Sequence, residues 1–233
     1  MKEIFAILAF CCAAIPAAQA QFQPSHLVPE TLRYRMLTGN AEVGSSTTTI
    51  SRDEGAGTIH IVESISGLFE QTATVTLRDN AALQTLTSHT VISRDNQYHQ
   101  FKLQYANNGE RVFGEIHRPR EFGGSRVVDV ALPAGAADIY AVAPLFRASS
   151  LAVGRMIQFP LFNELENEVG LARAWIARLE SVVVPAGSYE CFRLEAYTGN
   201  ARLILNIDTQ FPHRIIRQIV PSLDVKFELV AVE

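Results

Sequence analysis

Thr72-Ala73-Thr74-Val75-Thr76-Leu77 alternates a hydroxyl with an apolar side chain at every step. Successive side chains of a strand point to opposite faces, so Ala73, Val75 and Leu77 share one face and the threonines the other. A strand with one wet and one packing face belongs in an antiparallel sheet. The same period runs outward in both directions. Thr58-Ile59-His60-Ile61-Val62-Glu63 sets Ile59 and Ile61 together, and Gln100-Phe101-Lys102-Leu103-Gln104-Tyr105 turns its amides and lysine to water. Further strands are predicted over residues 31–37, 43–51, 84–92, 111–117 and 126–131. After residue 150 they are predicted over 155–161, 173–184, 189–197, 202–207, 214–220 and 225–232.

Turn chemistry separates these runs: Thr38-Gly39-Asn40, Glu54-Gly55-Ala56-Gly57, Asp79-Asn80, Asn107-Asn108-Gly109 and Gly123-Gly124. Glycine and asparagine tolerate positive φ and allow tight reversals between neighbouring strands. One stretch breaks the rhythm. In residues 138–150, Ile139, Val142 and Phe146 fall at helical spacing, Asp138 can cap the start, and Pro144 limits the length. The expected fold is therefore all-β: a large antiparallel meander curled into a closed or partly open barrel. One short or broken helix, at about 138–150, should lie across its opening.

The 233 residues suit a single large β domain, and 48% hydrophobic against 19% charged residues supplies a sizeable core. A net charge of −4 gives no basic surface for nucleic acid. At the N-terminus Lys2 precedes an apolar run from Ile4 to Ile15, then Pro16 and Ala17-Ala18-Gln19-Ala20. That layout is a secretory signal peptide, cut after Ala20, and its apolar run is shorter than the ~20 residues a bilayer span needs. The predicted organisation is a signal peptide at 1–20, an extended lead-in at 21–30 and a single β-barrel-like domain at 31–233. The mature chain would be periplasmic or secreted, without an integral membrane span. Cleavage removes Cys11 and Cys12 and leaves Cys191, which cannot close an internal disulfide and reads as a buried small hydrophobe.

Val182-Val183-Val184-Pro185-Ala186-Gly187-Ser188-Tyr189-Glu190-Cys191-Phe192-Arg193-Leu194-Glu195 is a strand, a tight turn and a strand. The string resembles the V-P-A-G-x-F/Y-x-C-x-R/K-x-E stretch of the exported bacterial family called domain of unknown function 3108. Three other places are similar to that family. They are Glu30-Thr31-Leu32-Arg33-Tyr34-Arg35 with Val43-Gly44, the run Val153 to Phe162, and Asn206 to Ile215. Arg155 stands where the family has an acidic residue and His213 where it has valine. The resemblance implies an envelope protein with a large curled sheet, and it brings no reaction and no catalytic residues.

The residues themselves build no recognisable active site. His26, His60, His89, His99, His117 and His213 are scattered without metal-ligand spacing, and no nucleophile elbow or phosphate-binding glycine loop occurs. Glu164, Glu166 and Glu168 lie between Asn163 and Gly170 and read as a wet loop rather than paired acid and base. No catalytic residue, cofactor or metal is expected. Candidates for lining a cavity are Tyr140, Phe146, Trp175, Arg193 and Glu195. The aromatics among them read more readily as core than as a ligand platform. Arg193 and Glu195 form either an exposed pair or, with the Tyr189/Cys191 face turned inward, a polar anchor for a ligand.

Two kinds of job fit this reading, neither enzymatic, and a hydrolase ranks last because no nucleophile motif supports it. The first is a periplasmic module that binds or carries a lipid or another apolar molecule in the barrel interior, with the helix as plug or lid. The second is an envelope assembly factor that binds a protein or glycan through a sheet edge or the barrel rim.

Overall fold

The computed structural model describes residues 22–94, 97–199 and 201–233. The signal-peptide expectation lies outside the described residues. The chain forms β1 (Glu30–Thr38), β2 (Ala41–Asp53), β3 (Thr58–Ser66), β4 (Glu70–Arg78), β5 (Thr85–Arg94), β6 (Gln97–Ala106), β7 (Arg111–His117) and β8 (Arg126–Ala131). After a two-residue β9 (Ala137–Asp138) come a 3-10 turn, Ile139–Ala141, and one helix, α1 (Val142–Arg147). The rest is β10 (Met156–Asn163), β11 (Glu168–Val184), β12 (Gly187–Thr198), β13 (Ala201–Asp208), β14 (Ile215–Val220) and β15 (Val225–Val232).

All fifteen strands belong to one sheet in the order β8 back to β1, then β15 back to β9. Two meanders thus share a seam where the first strand pairs antiparallel with the last, from Leu32↔Val232 to Thr38↔Val225. The sheet is not closed: its free ends are β8 and the short β9, so the partly open form of the expected barrel is the one adopted. Alternation behaves as the physics of pleating requires. Ala73, Val75 and Leu77 of β4 are buried, as are Ile59 and Ile61 of β3 and Phe101, Leu103 and Tyr105 of β6. The Val-Pro-Ala-Gly string is the predicted hairpin. β11 and β12 pair from Ala172↔Thr198 to Val184↔Gly187, leaving Pro185 and Ala186 as a two-residue turn.

Residues 138–150 make the short broken helix. Asp138 caps it by accepting from the Tyr140 amide at 2.9 Å, and Pro144 sits in the first turn of α1, where a missing N–H costs nothing. α1 enters the concave side of the sheet. Val142, Leu145 and Phe146 pack between Ile50, Ile61 and Val75 of the first meander and Phe159, Ile176 and Leu194 of the second. A sheet of this size cannot fill its own interior with side chains, and the helix supplies the missing apolar volume.

The lead-in is not simply extended. Pro24–His26 forms a 3-10 turn, β1 starts at Glu30, and Phe22, His26 and Leu27 are buried. Phe22 stacks edge-on against Phe159 at 5.6 Å, and its amide donates to Ala81 O, so these residues belong to the core.

Candidate functional site

Leu145, Phe146 and Arg147 of α1 are sealed against the sheet, whereas Ala143 and Pro144 are half-buried on the opposite side. A cleft of about 290 Å³ opens beside them. Its walls are mostly apolar: Ile61, Ile65 and Phe69 from the first meander, Leu203, Val220, Val225 and Phe227 from the second, and Ile139, Tyr140 and Val142 from the helical insert. A recess of about 50 Å³ continues the cleft under the same helix, lined by Leu32, Tyr34, Ile50 and Arg147. Thr48, Glu63, Ala143, Pro144, Gln218 and Phe227 border both spaces.

The polar groups on this cleft are few. The Glu63 carboxylate accepts a hydrogen bond from Gln71 Nε2 at 3.3 Å. Burial pushes its pKa up to about 7, because desolvation penalises the ionised form. Thr48 and Gln218 lie near it, and the Tyr140 hydroxyl has no hydrogen-bond partner among the described residues. Arg147 closes the recess, but its charge is engaged. Its Nη2 lies 2.6 Å from Glu30 Oε1, its Nε donates to Pro212 O at 3.2 Å, and Arg214 Nε reaches Glu30 Oε2 at 2.6 Å. This triad fixes the plug to β1 and to the loop before β14. Chemically, the arrangement is an apolar slot with one carboxyl group and a fringe of neutral donors and acceptors.

Behind Tyr140 lies a second acidic feature that the sequence reading assigned to a wet loop. Glu164 is fully buried, and so is Asp138. Asp138 accepts from the Tyr105 hydroxyl at 2.7 Å and from the Tyr140 amide at 2.9 Å. Burial raises the pKa of Asp138 while these donors oppose the rise. Burial and then the Asp138 charge push Glu164 well above the usual carboxylate range. The reason for the misreading is local. Glu164 begins a tight turn whose other polar residues are exposed or half-buried, and the turn folds this one side chain inward.

The sign of the resulting pH dependence follows from the raised folded-state pKa. An unfolded glutamate ionises near ~4.3, so between that pH and the higher folded value the native state holds a proton that the unfolded chain has lost. Stability from Glu164 is complete below about pH 4.3 and declines as pH rises through the folded value, by up to about 1.4 kcal/mol per pH unit for one proton. Glu63 adds a decline of the same sign between about 4.3 and its folded pKa of about 7. Urea midpoints measured from pH 5.5 to 8.5 are therefore expected to fall with pH, and Glu164→Gln is expected to remove part of that slope. An unchanged slope in the variant would place the proton elsewhere.

The five candidates drawn from the sequence separate in space. Tyr140 lines the cleft. Phe146 has no exposed surface and stacks on Phe159 at 5.3 Å, so it is core. Trp175 is 46% exposed, paired across strands with exposed Met156 and flanked in sequence by buried Ala174 and Ile176, which puts it on the sheet's outer face. Arg193 and Glu195 lie on that face too, opposite buried Leu194 and Ala196. They join Arg178, Glu180 and Arg202 in a chain of ion pairs from 2.5 to 3.2 Å. Burial alone would raise the pKa of Glu195, but hydrogen bonds from Arg202 and Arg193 outweigh it and hold the carboxyl low. Cys191 is buried with Val182, Val184, Ile216 and Leu229, and burial pushes its thiol up to about 12, which makes it inert. Among the described residues no group of three His, Cys, Asp or Glu could hold a metal ion, and no helix is long and apolar enough to cross a membrane.

Comparison with known proteins adds the fold and a family. A family model described as a protein of unknown function, DUF3108, matches residues 32–219. A β-barrel-like protein of the domain of unknown function DUF1849 from Brucella abortus superposes with a TM-score of 0.53 at 9% identity, covering 91% of this chain and 98% of its own. A protein of YmcC-like fold from Bacteroides fragilis gives a TM-score of 0.31 at 11% identity, covering 92% and 99%. Comparison with curated proteins matches none.

Proposed function

The chain belongs to the DUF3108 family, which carries no known reaction, and from the cleft itself we propose that it is a non-enzymatic binding protein for a single-chain apolar molecule. The observation that carries this is the mostly apolar space of about 290 Å³ beside α1, continued by its recess. Small-molecule sites are concave, mostly apolar, and furnished with a few placed polar groups, and this cleft has that make-up near the lower end of the usual ~300–1,000 Å³ range. Each ligand methylene buried there contributes about 0.8 kcal/mol, so one acyl chain suffices for useful affinity. The signal-like N-terminus supports action outside the cytoplasm, in the periplasm for a bacterial envelope, with a lipid as the apolar cargo.

The test is fluorescence enhancement of N-phenyl-1-naphthylamine, a neutral apolar dye. The wild type should bind it saturably, and Ala143→Trp, which puts an indole into the cleft from the half-buried side of α1, should weaken binding at least about tenfold, or ~1.4 kcal/mol. Equal binding by both proteins would refute the site.

A second reading rests on the unclosed sheet. β8 is a free edge, and Val127 on it is 78% exposed and shares a surface depression with exposed Phe113. Free edges pair with added strands, so an envelope protein docking at β8 is the rival job. Deleting the β8 edge while keeping dye binding separates the two.

A further inference from the structure

We propose that the cleft selects its ligand by head group: it takes a single-chain amphiphile whose head donates a hydrogen bond, a hydroxyl or an ammonium, seated on Glu63, and rejects anionic heads such as a fatty-acid carboxylate. This rests on the binding role proposed above and adds the chemical class of the ligand.

The geometry begins with alternation. Ile59, Ile61 and Ile65 of β3 are buried in the interior, and Glu63 occupies the same face between the last two. Gln71 of β4 lies on the same face, opposite Ile65 and one step before Ala73, Val75 and Leu77. A carboxyl group is thereby set on a mostly apolar wall, where both the cleft and its recess reach it. Among the described residues its one side-chain hydrogen bond is the long one from Gln71 to Oε2, which leaves Oε1 and further lone pairs for a donor in the cleft. Glu63 is half-buried, and a ligand that shuts water out of the cleft costs its carboxyl hydrogen bonds that a donor on the head group replaces.

Among the described residues, the groups facing Glu63 from each neighbouring element supply no free positive charge. β2 gives Thr48, β4 gives Gln71, β14 gives Gln218, β1 gives Tyr34 and the helical insert gives Tyr140. The Tyr34 hydroxyl already donates to Ile215 O at 2.9 Å. Burial raises both phenols, so neither ionises near neutral pH. Among the described residues Arg147 of α1 is the one cation on the recess, and Glu30 at 2.6 Å together with Pro212 O occupies it. An anionic head would meet a carboxylate in a low-dielectric slot with nothing to neutralise either charge. A hydroxyl or ammonium head meets an acceptor.

Competition of decan-1-ol, decylamine and decanoate against N-phenyl-1-naphthylamine, at pH 6 and pH 8, reads this directly. Decan-1-ol and decylamine carry one more methylene than decanoate, worth about 0.8 kcal/mol or about fourfold, so a tenfold difference reports the head group. Decanol and decylamine should displace the dye at least about tenfold more tightly than decanoate at pH 8. Decylamine should gain affinity from pH 6 to pH 8 as Glu63 ionises, and decanoate should lose it. Glu63→Gln, close to isosteric, should abolish the amine's pH gain and admit decanoate. Head-blind binding by the wild type would overturn the inference while leaving the apolar cleft as the site. Tightest binding by decanoate would overturn it in favour of a head seated on Arg147. Failure of the dye and all three chains to bind would overturn both this inference and the proposed function.

Discussion

Glu30→Ala is expected to destabilise the fold by about 3–5 kcal/mol, the cost of leaving a buried charge without its partner. Glu30 and Arg147 have side chains only 4% and 2% exposed, and they meet at 2.6 Å where the plug helix touches the first strand. Removing the carboxylate strands the Arg147 guanidinium in the interior with only the Pro212 carbonyl from Nε. Arg214, 30% exposed, can turn to water and loses far less. The double variant Glu30→Leu/Arg147→Met is expected to recover most of the loss, because two apolar groups of similar size need no neutralisation. Urea denaturation of Glu30→Ala, Glu30→Leu, Arg147→Met and the double variant measures this. Additive losses in the double variant would show that the pair is not the link between helix and sheet. Since α1 is also one wall of the cleft, Glu30→Ala should weaken dye binding even where the protein stays folded.

Phe146→Ala is expected to cost about 3–5 kcal/mol, the range for deleting a large buried aromatic side chain. Phe146 has no exposed surface and packs on Phe159, which itself carries Phe22 from the lead-in. The cavity left behind would sit between the two meanders, where backbone strands held by their ladders collapse poorly. A ligand platform would respond differently. Truncating a side chain that mainly touches ligand leaves stability nearly intact and reduces affinity, so the ratio of the two effects assigns Phe146 to core or to site. The packing assigns it to core, and the denaturation midpoint should move far more than dye affinity.

Why the architecture was legible and the cleft was not has a physical explanation. Alternation at period two reports which residues share a face, and that is local information. Thr72–Leu77, Thr58–Glu63 and Gln100–Tyr105 therefore announced β4, β3 and β6, and Pro185-Ala186 announced the hairpin between β11 and β12. The non-alternating stretch with Asp138 and Pro144 likewise announced the broken helix. Whether the sheet closes depends instead on distant edges, β8 and β9, and on how much volume α1 fills, which no window of residues contains.

The candidate site shows the same division. Tyr140 was found because it lies in the helical insert, but Trp175, Arg193 and Glu195 were drawn from long strands whose inner face the sequence left open. Leu194 and Ala196 turned inward and settled it. A local signal for Glu63 and Gln71 was present. Continuing the Ile59–Ile61 alternation by one step lands on Glu63, and stepping back from Ala73 lands on Gln71. A charged or amide side chain on the packing face of a strand is what a ligand anchor looks like in sequence. Glu164 left no comparable trace, since a turn has no period by which to assign a face.

The measurement that bears most directly on the apolar cleft is native mass spectrometry of the protein, purified without detergent. A population heavier than the protein by one single-chain amphiphile, stripped by organic extraction and diminished in Ala143→Trp, is the predicted result. A bare protein mass, with no uptake of decanol or decylamine on addition, would contradict the account.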